Sequence, residues 1–461
     1  MPIAEFWIAF GTTVLLVAGV GVCLLLDKRR SLWVDRRFPG TGRAPVLWGD
    51  YGATGYLEHR AHTNQRLYRL FKARKWPVGG AIQYLTPVVI VVDQRAIDFV
   101  LGDECIKIPT VRGNGEVIAS WTDFEEEHYE AMLNLAMAES TNIASTVSVT
   151  GTELDVKSIV EQYTVRVLLP IFFGLQYEPS LEVAVREMLH ECAPSLLWSI
   201  LSTALPAMGS TMGRILDPNR LACGRLEELM FSTEREPKSG ENFSSFLKRK
   251  TTQVDWTEAV SFDRNKRTLL ELVRNVFYIA SGTIIACLYE IASNQGVQTR
   301  LHEALQHSTD SMTDYLDNVI GETLRKYPPV HEISFSTLTS NRLPDFDVVI
   351  PRNTRVIVPT YALHRDPDHY PSPLCFDPER PALRAPHGAG KPYPSFYRPL
   401  GEKAYVNGSN FALLMVRVGL SNMLVHWRVD LAAGSPRELE VSAEGSIPYT
   451  SGKVRLMITK R

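Results

Sequence analysis

Residues 6–26 carry no charged side chain, and most positions are apolar. A run of that length matches the roughly 20 residues that cross a bilayer core as a helix. Asp27, Lys28, Arg29 and Arg30 close it, and Arg36 and Arg37 follow. Basic residues beyond a span favour the cytosolic side. No small-residue cleavage site ends the run, so it predicts an uncleaved anchor and not a removable leader. Pro39, Gly40 and Pro45 then break the chain, as a stiff linker does. Residues 1–30 are read as anchor, 31–46 as hinge and 47–461 as the folded domain. Past the hinge the apolar period changes. Residues 81–84 and 88–92 are short β-rich runs separated by Thr86 and Pro87, which predicts a hairpin, and 94–101 predicts a helix. Helical periodicity runs through 156–175, 180–197 and 220–231, with a polar loop at 234–241. Residues 269–293 predict one long apolar helix, and 347–350 and 355–358 predict strands. From Asn410 on, Phe411, Leu414 and Val418 share one helical face. The pattern predicts a mainly α fold with small β-sheets, of the α+β class.

Composition changes this picture little. The 461 residues carry a formal net charge of -2, and 22% of them are charged. That is ordinary globular chemistry, without the basic excess that nucleic-acid binding needs. The cysteines are Cys23, Cys105, Cys192, Cys223, Cys287 and Cys375. They form no CxxC pair and no close cluster, which points to reduced thiols and away from disulfides or zinc. No internal repeat or low-complexity tract occurs.

Residues 121–130 read Trp-Thr-Asp-Phe-Glu-Glu-Glu-His-Tyr-Glu. Such a run is expected to be the solvated start of a helix, where carboxylates complement the dipole. A sharper reading puts magnesium, and through it a diphosphate, on Asp123, Glu126 and Glu127. One carboxylate cluster without a second motif supports that weakly.

Two further stretches carry the chemistry. Residues 321–329 read Gly-Glu-Thr-Leu-Arg-Lys-Tyr-Pro-Pro, so Glu322 and Arg325 share a helical face. Downstream, residues 362–367 read Ala-Leu-His-Arg-Asp-Pro and residues 376–380 read Phe-Asp-Pro-Glu-Arg. Residues 396–416 hold Pro399, Leu400, Gly401 and Gly408 before Phe411 and Ala412. Together these resemble the cytochrome P-450 superfamily, microsomal type, with the look of a fungal member. The resemblance is strong over 269–424 and looser before. It implies a cytochrome P-450-like fold with an N-terminal transmembrane helix. It implies a buried ionic cluster of Glu322, Arg325 and Arg380 that is structural, not catalytic. It also implies a haem loop at 396–408.

The departures from the family fall on haem contacts. Counting back from Phe411 and Ala412 puts Val406 at the ligand position; counting forward from Gly401 puts Asn407 there. Neither side chain supplies a thiolate. The arginine two before the ligand is Ala404 or Tyr405. No Arg or Lys lies between Arg112 and Lys157, where the family carries Trp-x-x-x-Arg against a propionate. His128 would take the Trp place, and Ala131 or Met132 the Arg place. On the long helix no Asp or Glu lies between Glu271 and Glu290; Ser281 and Thr283 offer hydroxyls only. Hydroxyls bonded back to the helix backbone are the plain expectation for both. Lys391, Arg398, Lys403 or His331 would compensate one propionate, not two.

The expectation drawn from these losses is a chain without a cofactor, its apolar cavity beside the membrane taking a lipophilic substrate. The leading reading is a non-oxidative cyclisation, isomerisation or rearrangement in secondary-metabolite (terpenoid or polyketide) biosynthesis. Its candidate groups are Ser281, Thr283, His331, Glu402, Lys403, Tyr405 and Asn407. The alternatives are a haem monooxygenase with an unusual or displaced ligand, Tyr405 among the choices, and a non-catalytic membrane scaffold. The reading places the protein as single-pass in the endoplasmic reticulum membrane through residues 6–26, its domain cytosolic. An acidic run where the family docks an acidic reductase argues against that partner.

Overall fold

The computed structural model describes residues 12, 13, 16, 17, 19–21, 24, 38–40, 50–51, 60–83, 86–102, 105, 107–109, 115–146, 152–190, 224–225, 242–250, 259–307, 314–380, 408–441, 450–451 and 454–461. In chain order, α1 (Arg60–Ala73) leads to β1 (Val78–Gln83), β2 (Thr86–Val91), α2 (Gln94–Leu101) and β3 (Lys107–Pro109). Next come α3 (Gly115–Glu127), α4 (Tyr129–Thr146), β4 (Thr152–Asp155) and α5 (Val156–Leu168), which ends in a π-helical turn (Leu169–Phe173). The helices α6 (Pro179–His190), α7 (Phe243–Lys250), α8 (Ala259–Ser293), α9 (Gln295–His307) and α10 (Asp314–Lys326) follow. Then come β5 (Ile333–Thr337), β6 (Asn341–Arg342), β7 (Val349–Ile350), β8 (Arg355–Val358) and the single turn α11 (Thr360–Leu363). The chain closes with α12 (Ser409–His426), β9 (Trp427–Leu431), β10 (Glu440–Val441), β11 (Thr450–Ser451) and β12 (Arg455–Lys460).

Two units divide these elements. One takes Met1–Thr110, Ser199–Thr211 and Ser334–Pro359. Its sheet runs in the order β1-β2-β8-β5-β3. β1 and β2 pair antiparallel from Val78↔Val91 to Gln83↔Thr86, so the predicted hairpin forms. Thr86 and Pro87 open β2 instead of making the turn. Pro is tolerated there as one of the first residues of a strand. Gly79 is required in β1: a Cβ would lie 2.2 Å from the Phe71 ring, which packs on the strand from α1. α2 starts as expected, capped by Asp93, whose Oδ1 accepts the Arg95 N–H at 2.9 Å.

The other unit takes Val111–Trp198, Met212–Ile333 and Thr360–Arg461. α8 is its main core helix. The segment Thr268–Ser293 is the one helix among the described residues long and apolar enough to cross a membrane, yet 83% of its most apolar window is buried. Side chains such as Val273, Phe277, Ile284 and Ile291 are fully enclosed, each contributing about 1.5–3 kcal/mol by leaving water. α12 packs beside it with Phe411, Leu414 and Val418 buried, the face the spacing predicts. The Tyr163 hydroxyl of α5 donates to the Met415 carbonyl at 3.0 Å. A three-stranded sheet, β4-β12-β9, closes the unit, and Gln298 of α9 stitches to Val429 through both amide ends, at 2.8 and 2.9 Å.

Three expectations change. The helix predicted through residue 175 stops at the π turn, where Gly174 adopts φ 68°. The acidic run does not open a helix: it forms the end of α3, and α4 restarts at Tyr129 with Glu130 in its first turn. The N-terminal transmembrane helix is not established by the fold. Most of residues 6–26 lie outside the described residues, as do the 234–241 loop and nearly all of 220–231.

Candidate functional site

The ionic cluster forms as its motif predicts. α10 brings Glu322 and Arg325 onto one face, and both are fully buried. Arg325 Nε and Nη2 reach the two Glu322 oxygens at 2.7 Å each. Arg380 Nε donates to Glu322 Oε1 at 2.9 Å, and the Asp377 N–H adds a bond at 3.1 Å. The remaining guanidinium donors go to backbone: Arg325 to the His364 carbonyl, and Arg380 to those of Pro371, Ser372 and Cys375. Two cations around one carboxylate, with their donors turned to carbonyls, is the arrangement that makes a buried ion pair tolerable. It ties α10 to the segment after α11.

Ser281 and Thr283 sit buried on α8. Ser281 donates to the Phe277 carbonyl one turn back, the plain expectation for a helical hydroxyl. Thr283 Oγ1 is buried without a hydrogen-bond partner, so the same expectation fails for it. His331 is buried ahead of β5, and its carbonyl accepts the Tyr361 N–H at 3.0 Å. Asp123, Glu126 and Glu127 are exposed, and among the described residues no group of three or more His, Cys, Asp and Glu could hold a metal ion.

Residues passed over in the acidic run prove more informative. Trp121 and Phe124 point inward from α3. The Trp121 ring stacks on Phe172 at 4.8 Å, meets Phe243 edge-on at 5.1 Å and lies 5.8 Å from Phe411 of α12. Glu125, one turn beyond Trp121, faces the Phe411 backbone at the start of α12. Burial pushes its carboxyl from 4.5 up to about 7; the Phe411 bond lowers it, Glu126 raises it and the Trp121 indole lowers it, though Trp121 Nε1 makes no well-formed hydrogen bond. The signal was legible: Trp121, Phe124 and Glu125 fall together at i, i+3 and i+4 on one helical face. Met132, at the family's arginine place, is buried, and His128 stacks on Phe124 at 4.2 Å.

A haem would test these surroundings. Residues 381–407 lie outside the described residues, and with them Lys391, Arg398, Glu402, Lys403, Tyr405, Val406 and Asn407. Where that stretch enters α12, Gly408 holds φ 78° as an N-cap with no side-chain bond, and Ser409 Oγ is buried without a partner. Among the described cysteines, Cys287 bonds Thr323 at 3.2 Å and its thiol is pushed up to about 12 by burial, which keeps it protonated. Cys105 is buried and Cys375 exposed. α3 and α4 carry no Arg or Lys. Among the described residues, α3 and α4 thus bring no cation to a propionate, and the stretch on which the family's haem loop would fall, 396–407, lies outside them.

A family described as Cytochrome P450 matches residues 117–453. Among curated proteins, the chain is 29% identical over 211 residues to "Probable cytochrome P450 6a13" of Drosophila melanogaster, covering 43% of this chain and 42% of that protein. It is 32% identical over 204 residues to "Cytochrome P450 6a2" of the same fly, 40% of each. It is 32% identical over 190 residues to "Cytochrome P450 6k1" of Blattella germanica, 39% of this chain and 36% of that protein. The chain thus spans about two fifths of the length of the curated relatives it matches. These relatives are insect proteins, and nothing in them supports a fungal source. The expectation of no cofactor is overturned: the family and the relatives are cytochromes, which points to haem, and the reading built on a lost haem loses its footing. With the family matched across most of its length on a mainly helical fold with small sheets, the chain belongs to the cytochrome P450 family.

Proposed function

We propose that this chain binds haem through a ligand other than cysteine and acts on a lipophilic small molecule as a membrane-anchored monooxygenase. The match to the Cytochrome P450 family over residues 117–453 carries the reading, and the Glu322–Arg325–Arg380 cluster, bonded at 2.7–2.9 Å, keeps the fold it rests on. The ligand part rests on the sequence, which has no cysteine beyond Cys375. Of the two tyrosines in 396–408, Tyr397 and Tyr405, Tyr405 stands beside the ligand position at 406–407, and tyrosine ligates iron in other haem proteins.

Haem, when bound, supplies the oxygen activation. The chain's own residues exclude water and orient the substrate. α8 offers a face of buried apolar side chains broken by the Thr283 hydroxyl, which is unpaired and able to hold a water or a substrate hydroxyl. The absence of any acid between Glu271 and Glu290 favours a second reading, rearrangement of the same class of substrate without oxygen. Leu16, Val17, Val20 and Leu24 are helical and exposed, which supports an anchor over residues 6–26 and a cytosolic domain at the endoplasmic reticulum.

Absorbance of the purified full-length chain, supplied with haem during expression, tests this. We expect a Soret band whose reduced carbon monoxide complex differs from that of a thiolate-ligated iron, and loss of that spectrum in Tyr405→Phe. A colourless protein overturns the proposal. A thiolate-type spectrum overturns its ligand. Turnover that needs NADPH and oxygen separates the two reactions.

A further inference from the structure

We propose that Arg274, midway along α8, holds the carboxylate of a lipophilic acid. A guanidinium that leaves water needs partners, and an edge with two parallel N–H donors matches an oxyanion. Among the described residues, five arginines bury a nitrogen that has no hydrogen-bond partner. Arg166, Arg186, Arg355 and Arg365 each leave one such nitrogen and commit another, to Glu139, Glu161, Gln83 and the Lys326 carbonyl in turn. Arg274 leaves two, Nε and Nη2, and among the described residues no hydrogen bond or ion pair reaches its guanidinium. Those two nitrogens form one edge of the plane. The same edge of Arg325 takes both Glu322 oxygens at 2.7 Å each, so this protein already shows what such an edge grips when buried.

The helix sets the surroundings of that edge. Leu272 and Val276, two positions to either side, face the start of α12 at Gly408. At about 100° per residue, Arg274 lies on the opposite side of α8. Along that side Leu270 and Phe277, one turn away in each direction, are buried. Tyr278 is half-buried, and its hydroxyl is already given to the Leu189 carbonyl of α6 at 3.0 Å. Glu271, the nearest acid along the helix, makes no ion pair with Arg274 and is engaged elsewhere. Apolar walls suit a hydrocarbon or ring system, and Arg274 supplies the charge for its head group. A neutral ligand would leave both N–H groups without acceptors. This inference rests on the proposed function in taking the ligand to be lipophilic; it needs no haem.

Isothermal titration calorimetry tests this with decanoate, decanol and decyl phosphate, on the full-length protein in nanodiscs of zwitterionic lipid with empty nanodiscs as the blank. Decanoate should bind at least about tenfold tighter than decanol, the difference that charge-assisted hydrogen bonds to one head group make. Arg274→Met, which keeps an apolar stem without the charge, should bring the two together. Should that variant fold poorly, the wild-type comparison stands by itself. Decanoate that binds the wild type no tighter than decanol, or not at all, overturns the proposal, as does a preference unchanged in Arg274→Met. Decyl phosphate binding tighter than decanoate overturns the choice of head group. A colourless preparation that still prefers decanoate upholds this inference while the haem reading falls; a haem-loaded one that binds both alike does the reverse.

Discussion

Glu322 takes three side-chain bonds from two guanidinium groups and one from a backbone amide, and its side chain is fully buried. Removing the carboxylate strands two buried cations, which costs about 3–5 kcal/mol. Glu322→Ala should therefore lower the denaturation midpoint sharply in a urea titration, and a change below about 1 kcal/mol would show the cluster to be dispensable. Arg325→Lys tests geometry at constant charge: the forked pairing at 2.7 Å on both oxygens needs a planar guanidinium. It should destabilise less than Glu322→Ala but measurably. Glu125 works with the opposite sign. Its folded carboxyl stands at about 7 against 4.5, so the stability it contributes is complete below about pH 4.5 and is lost as pH rises through 7. Glu125→Gln should be more stable than wild type at pH 8 by on the order of 1–2 kcal/mol after discounting for partial exposure, and equal to it near pH 4. Thermal melts at both pH values decide it; a gap that does not change with pH rules the explanation out.

The start of α12 shows how an element depends on one backbone position. Gly408 combines φ 78° with a close approach in which a Cβ would stand 2.5 Å from Val276 Cγ2 and 3.0 Å from a Leu272 methyl. Gly408→Ala meets both the left-handed strain and the clash, at about 1–3 kcal/mol for the strain alone. It should fray the first turn of α12 while leaving the turns around Val418 protected, which site-resolved hydrogen exchange would register. Uniform loss of protection along the helix would contradict this local account. The same element shows what was legible in the sequence. Phe411, Leu414 and Val418 announced the buried face of α12 by spacing alone, and α8 announced itself by unbroken apolar length. Glu322, Arg325 and Arg380 could be placed because a motif fixed them relative to prolines and strands. Glu125 was passed over because local charge made it look like its exposed neighbours, although its spacing from Trp121 and Phe124 put it on their buried face. The end of α5 at the π turn likewise depends on Gly174 taking φ 68°, which apolar periodicity does not encode.

At the scale of the whole molecule two long apolar stretches compete for the description of membrane helix, and their surroundings separate them. Thr268–Ser293 is 26 residues long, but 83% of its most apolar window is buried against protein, so that apolar surface is already satisfied. Leu16, Val17, Val20 and Leu24 are 69%, 65%, 50% and 65% exposed in helical conformation. Large side chains held in water along a helix need another apolar phase to cover them, and a bilayer offers one of the right thickness for residues 6–26. In the proposed anchor, the basic residues from Lys28 to Arg37 would favour the cytosolic side for the chain that follows. Placing a charge mid-span costs about 2.5–3.5 kcal/mol of insertion free energy per residue. Leu16→Arg combined with Val20→Arg should therefore move the full-length protein from the membrane pellet into the supernatant after an alkaline wash. The same pair introduced at Ile284 and Cys287, inside α8, should unfold the protein instead of releasing it. Should the N-terminal pair leave the pellet fraction unchanged, the exposed side chains of Leu16, Val17, Val20 and Leu24 would require a cover other than lipid.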